Sequence, residues 1–297
     1  MSIRKYIAFL RTIETGSITQ SAQELGYTQS AVSKMIADLE REWNVTLLTR
    51  GHSGISLTSE GMSLPPSIQS VVKEYDNLQF AVSEVHGVRS GLLRIGCFTS
   101  ISTSILPKVL HAFHEKYPNI LIQLFNGEYN DIIDWLRRGT VDCGFLAMPA
   151  PNDLDVTFLL QDSFVAILPE NHPLASAPSF PLHRLREERF IKLKELQDHE
   201  VDRFLLEHGE TPSVTYDVTS DFALLAMVES GLGVSVVHDL MLRPKRYHIV
   251  RLPLDVTEFR NIGIAVQRGV TPSSITRLFI EHIVTYQKNG SFFDGLD

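Results

Sequence analysis

Positive charge is scarce in this sequence. Its 297 residues carry 27 Lys/Arg against 35 Asp/Glu, a formal net charge of −8. A balance of that sign by itself argues against a protein that holds nucleic acid by bulk charge. Long apolar runs are missing as well. Nowhere do eighteen apolar residues follow one another, so no segment reads as a membrane-spanning helix. The opening MSIRKYIAFLRTIETG has basic residues but no continuous apolar segment before a small-residue cleavage site, and reads as the start of a helix rather than a signal peptide. Cysteine is limited to Cys97 and Cys143, each inside an apolar, strand-like run (LLRIGCF and VDCGFLA). Two such residues make no disulfide scaffold and read as buried free thiols in a reducing cytoplasm.

What is present is ordinary globular material. Hydrophobic residues are 43% of the chain and charged residues 21%, enough apolar side chain for packed cores, and the length predicts two or three domains. The acidity is unevenly spread. Residues 1–90 hold eight Lys/Arg and nine Asp/Glu, and residues 91–297 hold nineteen and twenty-six. The front third is therefore near neutrality. Any binding of DNA there must rest on a few placed cations and on helix N-termini.

The front third reads as helices. Tyr6, Phe9, Leu10 and Ile13 fall at i, i+3, i+4 and i+7 in a first helix over Ile3 to Glu14. A short second helix spans Thr19 to Leu25, and Gly26 follows its last turn, where the chain needs positive φ. Thr28 caps a third helix through its hydroxyl, with Val32, Met35, Ile36 and Leu39 on the buried face. Two short helices joined by a tight turn containing glycine form a helix-turn-helix. Leu47-Leu48 and Ile55–Leu57 flank the turn from Gly51 to Gly54 as a β-hairpin, and Thr58 begins another helix. Leu64, Ile68, Val71, Tyr75, Leu78, Val82 and Val85 then alternate at spacings of four and three. That period of 3.5 is the seam of a dimerising coiled coil, set against the alternative of a helix lying on its own domain. Pro65-Pro66 means that this helix either bends there or begins afresh at Pro65.

Ser90-Gly91 is a hinge by composition. Beyond it strands and helices alternate: LLRIGCF, Leu106–Tyr117, ILIQLF, Asn130–Gly139, VDCGFLA, and then a second set ending in IGIAV and the helix Ser273–Lys288. The fold class is α/β, with a parallel sheet predicted, and about 205 residues of it predict two lobes with a cleft between them. The domains are thus 1–58, 59–90 and 91–297, with a first lobe over about 91–161 and 267–297 and a second over about 162–266.

Two sites carry chemistry. Gln29, Ser30, Ser33 and Lys34 lie opposite the apolar face of the third helix. Glutamine can bond an adenine edge twice, serine can donate or accept, and lysine can reach a guanine edge or a phosphate; the competing reading is a solvated face. Catalytic motifs are lacking. GHSGI has Ile55 where a nucleophile elbow needs glycine. His111 and His114 share a helix without the further ligands of a metal site. Gly231-Leu-Gly233 lacks the third glycine of a dinucleotide loop. A solute-binding protein or a small-molecule enzyme could use the same α/β lobes, but neither needs the first 60 residues.

The stretch IAFLRTIETGSITQSAQELGYTQSAVSKMIADLEREWNVTLLTR with LTSEG resembles the DNA-binding domain of the LysR-type transcriptional regulators. The resemblance continues through GLLRIGCFTSISTSILPKVLHAFHEKYPNI, LRRGTVDCGFLA, ENHPLA and VESGLGVSVV, in the family's order and over nearly the whole chain. It implies an N-terminal winged helix-turn-helix, a long dimerising linker helix and a two-lobed effector domain like a periplasmic binding protein. It also implies a cytoplasmic, non-enzymatic regulator with neither cofactor nor metal. Such a protein binds imperfectly palindromic double-stranded DNA as a dimer or a homotetrameric dimer of dimers, and contacts RNA polymerase. The family's reading positions match Gln29, Ser30, Ser33 and Lys34. The second is commonly proline and the last commonly arginine, so Lys34 keeps the charge but not the bidentate fork. Thr19 and Gln20 would face phosphates, Thr28 heads the reading helix, and Arg50 lies in the wing. His52, also in the wing, is either a DNA contact or an exposed turn residue. Glu60 stands where the family usually has alanine.

The resemblance places the effector between the lobes, against the loop Phe98–Thr103 after the first strand. Hydroxyls and free N–H groups at a helix N-terminus favour an anion such as a carboxylate, although any one hydroxyl can equally be a cap. Matching positions are Thr99, Ser100, Ile101 and Ser102; Glu128 and Tyr129; Ala147 and Met148; Ile191, Lys192 and Leu193; and Thr219 and Phe222. Glu128 disfavours a bare anion and Lys192 favours one.

Overall fold

The computed structural model describes residues 2–51, 54–85, 90–194, 200–243, 247–290 and 292. Three helices open the chain: α1 (Ile3–Thr15), α2 (Ile18–Leu25) and α3 (Gln29–Trp43). Local chemistry sets their ends. Ser17 accepts the Gln20 N–H and starts α2 one residue before the predicted Thr19. Gly26, at φ 70°, ends α2 in the left-handed conformation that a side chain disfavours. The Thr28 hydroxyl accepts the Ala31 N–H at 3.2 Å and caps α3. Val32, Ile36 and Leu39 are buried and Met35 half-buried, against Tyr6, Ala8, Phe9, Ile18 and Ala22 of the first two helices.

Strands β1 (Leu48–Gly51) and β2 (Gly54–Leu57) form the antiparallel wing. Glu40 of α3 accepts the N–H groups of Leu47 and Leu48, at 2.8 and 3.2 Å, which ties the wing to α3. The sequence predicts a helix from Thr58, but the chain makes only one 3-10 turn, Gly61–Ser63. Thr58 explains this. Its hydroxyl donates to the Thr46 carbonyl at 2.7 Å and accepts the Gly61 N–H at 2.8 Å, so it staples the wing's exit. A side chain at position 61 would collide with the Leu47 carbonyl, so only glycine fits. The long helix α4 (Pro65–Val85) begins afresh at its first proline, where the missing N–H costs nothing.

The α/β region has the strands β3 (Gly91–Cys97), β4 (Ile120–Asn126), β5 (Cys143–Met148), β6 (Leu154–Pro169), β7 (Phe190–Leu193), β8 (Val214–Val218), β9 (Ser235–His238), β10 (Ile249–Pro253) and β11 (Phe259–Gln267). Its helices are α5 (Thr99–Ser104), α6 (Leu106–Lys116), α7 (Tyr129–Arg138), α8 (Glu200–Glu207), α9 (Asp221–Glu229) and α10 (Ser274–Lys288). The first lobe's sheet runs β6-β11-β5-β3-β4. The sheet is mixed rather than parallel: β3 is parallel to β4 and β5, while β11 is antiparallel to β5 and β6. The antiparallel members are the strands on which the chain leaves for the second lobe and returns. β6 is 16 residues long and serves both lobes; its first ten residues pair with β11, and Val165–Pro169 pair with β10 while Phe164–Ile167 pair with β9. The predicted second lobe, 162–266, therefore runs too far, because β11 lies inside the first lobe's sheet. Cys97 and Cys143 are both free and buried. Burial pushes the Cys97 thiol up to about 11, which makes it a poor nucleophile.

Candidate functional site

At the front of the molecule, Thr19, Gln20, Thr28, Gln29, Ser30 and Lys34 are exposed together at the starts of α2 and α3, and Ser33 is half-buried beside them. Gln20 donates to Glu24 at 3.1 Å, and the Thr28 and Ser30 hydroxyls pair at 3.1 Å. Lys34 has no ion-pair partner among the described residues. This surface carries donors and acceptors over a packed apolar back, with a lysine available at its centre. Arg50 lies on β1 opposite Ile55, and His52 lies outside the described residues.

The seam residues divide. Ile68 is buried in the winged-helix core, and Leu64 packs against it. Val71, Tyr75, Leu78, Val82 and Val85 are exposed, Leu78 at 58%. Phe80, on another face of α4, is buried with Leu93 and Ile275 in the first lobe's core. The first turn of α4 thus belongs to the N-terminal winged-helix unit and Phe80 anchors its later turns to the first lobe, while a stripe of apolar side chains from Val71 to Val85 remains uncovered.

A cavity of about 280 Å³ separates the two lobes. Thr99, Ser100, Glu128, Tyr129, Leu193 and Thr219 line it. The remaining predicted residues do not. Ile101 and Ile191 are fully buried in the cores of their lobes. Ala147 and Met148 pair with Ile262 and Asn261 of β11, and Lys192 is held by Asp202 at 2.6 Å. Phe222 is exposed on α9. Ser102 belongs to α5, since the predicted loop Phe98–Thr103 is mostly a helix itself. Its hydroxyl and that of Thr103 both donate to the Thr99 carbonyl at 2.9 Å, and that of Ser104 to the Ser100 carbonyl. These three hydroxyls are engaged by their own helix. A larger hollow of about 570 Å³ lies elsewhere, between α1, α4 and the first lobe.

The cavity floor is a charged network that periodicity does not reveal. Arg260 of β11 bonds Asp162 of β6 through Nη2 at 2.7 Å and Nε at 3.0 Å. It also donates to the Tyr129 hydroxyl at 2.9 Å, to the Ser100 hydroxyl at 3.0 Å and to Glu200 at 3.3 Å. Tyr129 in turn donates to Glu200 at 3.2 Å, and His238 Nε2 lies 3.1 Å from the same carboxylate. Asp162 accepts the Leu240 N–H at 2.9 Å. Arg260 also stacks 5.0 Å from the Phe98 ring centroid. Residues from both lobes thus meet on one guanidinium. Their sequence signal is a charged or polar residue inside an apolar strand: Arg260 before NIGIAV, Asp162 before SFVAILP, His238 after VSVV.

Burial works to raise the Glu200 carboxyl, but the His238 hydrogen bond and the Arg260 charge more than reverse this and hold it at about 2. Burial, helped by Arg260, pushes His238 down, so its ring is neutral near pH 7. A carboxyl depressed on folding contributes stability that is whole above its ordinary 4.5 and is lost as pH falls towards 2. Wild type should therefore exceed Glu200→Gln in urea stability at pH 6, and the gap should narrow at pH 3. A gap that is constant between the two would refute the assignment.

Comparison with known proteins agrees with this anatomy. Residues 3–62 match the family model described as bacterial regulatory helix-turn-helix protein, lysR family, and residues 86–288 match the LysR substrate binding domain. The uncharacterized HTH-type transcriptional regulator YvbU of Bacillus subtilis is 28% identical over 284 residues, covering 95% of this chain and 97% of that one. A full-length OxyR variant from Pseudomonas aeruginosa is similar in structure, with a TM-score of 0.75 at 20% identity over 95% of this chain and 94% of its own. CbnR in complex with its target DNA gives 0.63 at 20% identity, over 95% and 99%. At that identity the structural likeness speaks for the fold.

Proposed function

The chain belongs to the LysR family of transcriptional regulators, binding DNA and governed by an effector domain, and on that premise we propose that two copies paired along α4 present α3 to an imperfectly palindromic operator. The observation that carries this is the division of α3 into a packed back, Val32, Ile36 and Leu39, and an exposed front, Gln29, Ser30 and Lys34. Thr19, Gln20 and Thr28 support the helix on phosphates, and Gln29 takes an adenine edge. The wing, β1 and β2, sits against the backbone. Pairing through Val71, Tyr75, Leu78, Val82 and Val85 spaces the two reading helices by about one helical turn of DNA or a multiple of it. The dimers assemble in pairs, act in the cytoplasm and address RNA polymerase.

The effector occupies the interlobe cavity. It acts by favouring one arrangement of the lobes over another, since only unequal affinity can shift that balance. Gln29→Ala tests the reading end. It should cost about 1–3 kcal/mol of preference for the operator over random DNA, measured by fluorescence anisotropy at fixed salt. Equal weakening on both DNAs would remove Gln29 from the base edge.

A further inference from the structure

The cleft cavity has the wrong charges for a bare anion. Four carboxylates line it, Glu128, Asp131, Glu200 and Asp221, against Lys194 and Arg260. Arg260 is already committed to Asp162 and Glu200. The N-terminus of α7 is closed by its own acids: Glu128 and Asp131 form a reciprocal capping box, with the Glu128 N–H on Asp131 at 3.0 Å. Among the described lining residues, Lys194 is the basic side chain left over from the network to receive a carboxylate.

Two charges in the cavity have no ion-pair partner among the described residues. Asp221, in the first turn of α9, forms no ion pair among the described residues. Burial raises its carboxyl, against a weaker pull from Arg260. Lys194, at the end of β7, likewise forms none among them, and its backbone N–H is held by the Val218 carbonyl at 2.7 Å. A third feature is independent of both. His238 is only 3% exposed and lines the cavity, yet its Nδ1 has no hydrogen-bond partner among the described residues. A buried polar atom left without a partner is costly and rare in a finished core.

We propose that the effector is an amine of the α-amino acid class, its ammonium on Asp221 and its carboxylate on Lys194. A zwitterion supplies each of these charges with its opposite and adds no net charge to an acidic cavity. His238 Nδ1, closed off from the cavity in this arrangement, reaches a polar group of the same molecule only as the lobes shift about it. The proposal rests on the interlobe cavity being the effector site.

The test uses the full chain and isothermal titration calorimetry. The probes are the proteinogenic L-amino acids, with the 2-hydroxy acid and the decarboxylated amine of each binder. At least one amino acid should bind. Its hydroxy acid should bind at least about tenfold more weakly, as should the amino acid itself to Asp221→Asn. The amine class is overturned if no amino acid binds, if the hydroxy acid binds equally well, or if Asp221→Asn leaves the Kd unchanged. Thr219→Trp separates this from the site itself, because Thr219 is exposed and the indole would fill the cavity. A hydroxy acid that binds wild type but not Thr219→Trp would spare the cleft and sink only the amine. An amino acid that binds Thr219→Trp unchanged would sink the cleft and, with it, the proposal.

Discussion

Arg260→Met should destabilise the effector domain by about 3–5 kcal/mol in urea denaturation, the usual cost of removing one partner from a buried ion pair. The methionine fills most of the volume, so packing is not the cause. What is lost is the guanidinium that serves Asp162, Glu200, Tyr129 and Ser100 at once. Asp162 and Glu200, 4% and 7% exposed, would be left buried and facing each other's charge. The triple variant Arg260→Met, Asp162→Asn, Glu200→Gln removes those charges together and should recover part of the loss, since an ionic network deleted whole is far cheaper than one broken. If the single variant costs less than about 1 kcal/mol, or the triple costs more than the single, the network is not what holds the lobes' floor together.

Leu78→Asp should convert the protein to a monomer by light scattering and weaken operator binding by about 10²–10⁴-fold. Leu78 lies mid-stripe on α4 and is 58% exposed, so a carboxylate there costs the single chain almost nothing. Its whole effect falls on whatever covers the stripe. One α3 brings few contacts and a single lysine to DNA, in a domain whose charges nearly cancel. The affinity must therefore come from holding two such helices at a fixed spacing. A variant of unchanged mass would rule out the seam, and a monomer that kept its operator affinity would rule out the dependence.

Much of this was legible where the physics is local. The cap at Thr28, the stop at Gly26 and the apolar spacing of α1 and α3 all depend on neighbours a turn away, whereas the Ser17 cap that starts α2 one residue early was missed. The fresh start at Pro65 was one of two readings that proline chemistry permits. The heptad pattern marked an apolar stripe but was silent about ownership. Ile68 fits the seam by spacing, yet it is claimed by Tyr6, Phe9 and Leu39, because the start of α4 rests on the winged domain. The cleft was half legible. Thr99, Ser100, Glu128 and Tyr129 follow strand ends, where parallel strands deliver their loops to a common edge. Arg260 was missed because it meets Ser100 across 160 residues, a pairing that no periodicity encodes. Lys192 and Ser102 stand off the cavity lining, their hydrogen bonds made to Asp202 and to the helix backbone, which spacing along the chain does not reveal.

The place of β11 in the sheet sets an order on the ribosome. It lies between β6 and β5, yet it leaves the exit tunnel after every other strand. Until Phe259–Gln267 have emerged, β5 and the first half of β6 each present an open edge, the kind that recruits stray strands from other chains. The second lobe, by contrast, has all its strands out by Pro253. The lobe that begins first in the chain is therefore the last that can close, and the nascent protein is most exposed to misassembly just before its final helix appears.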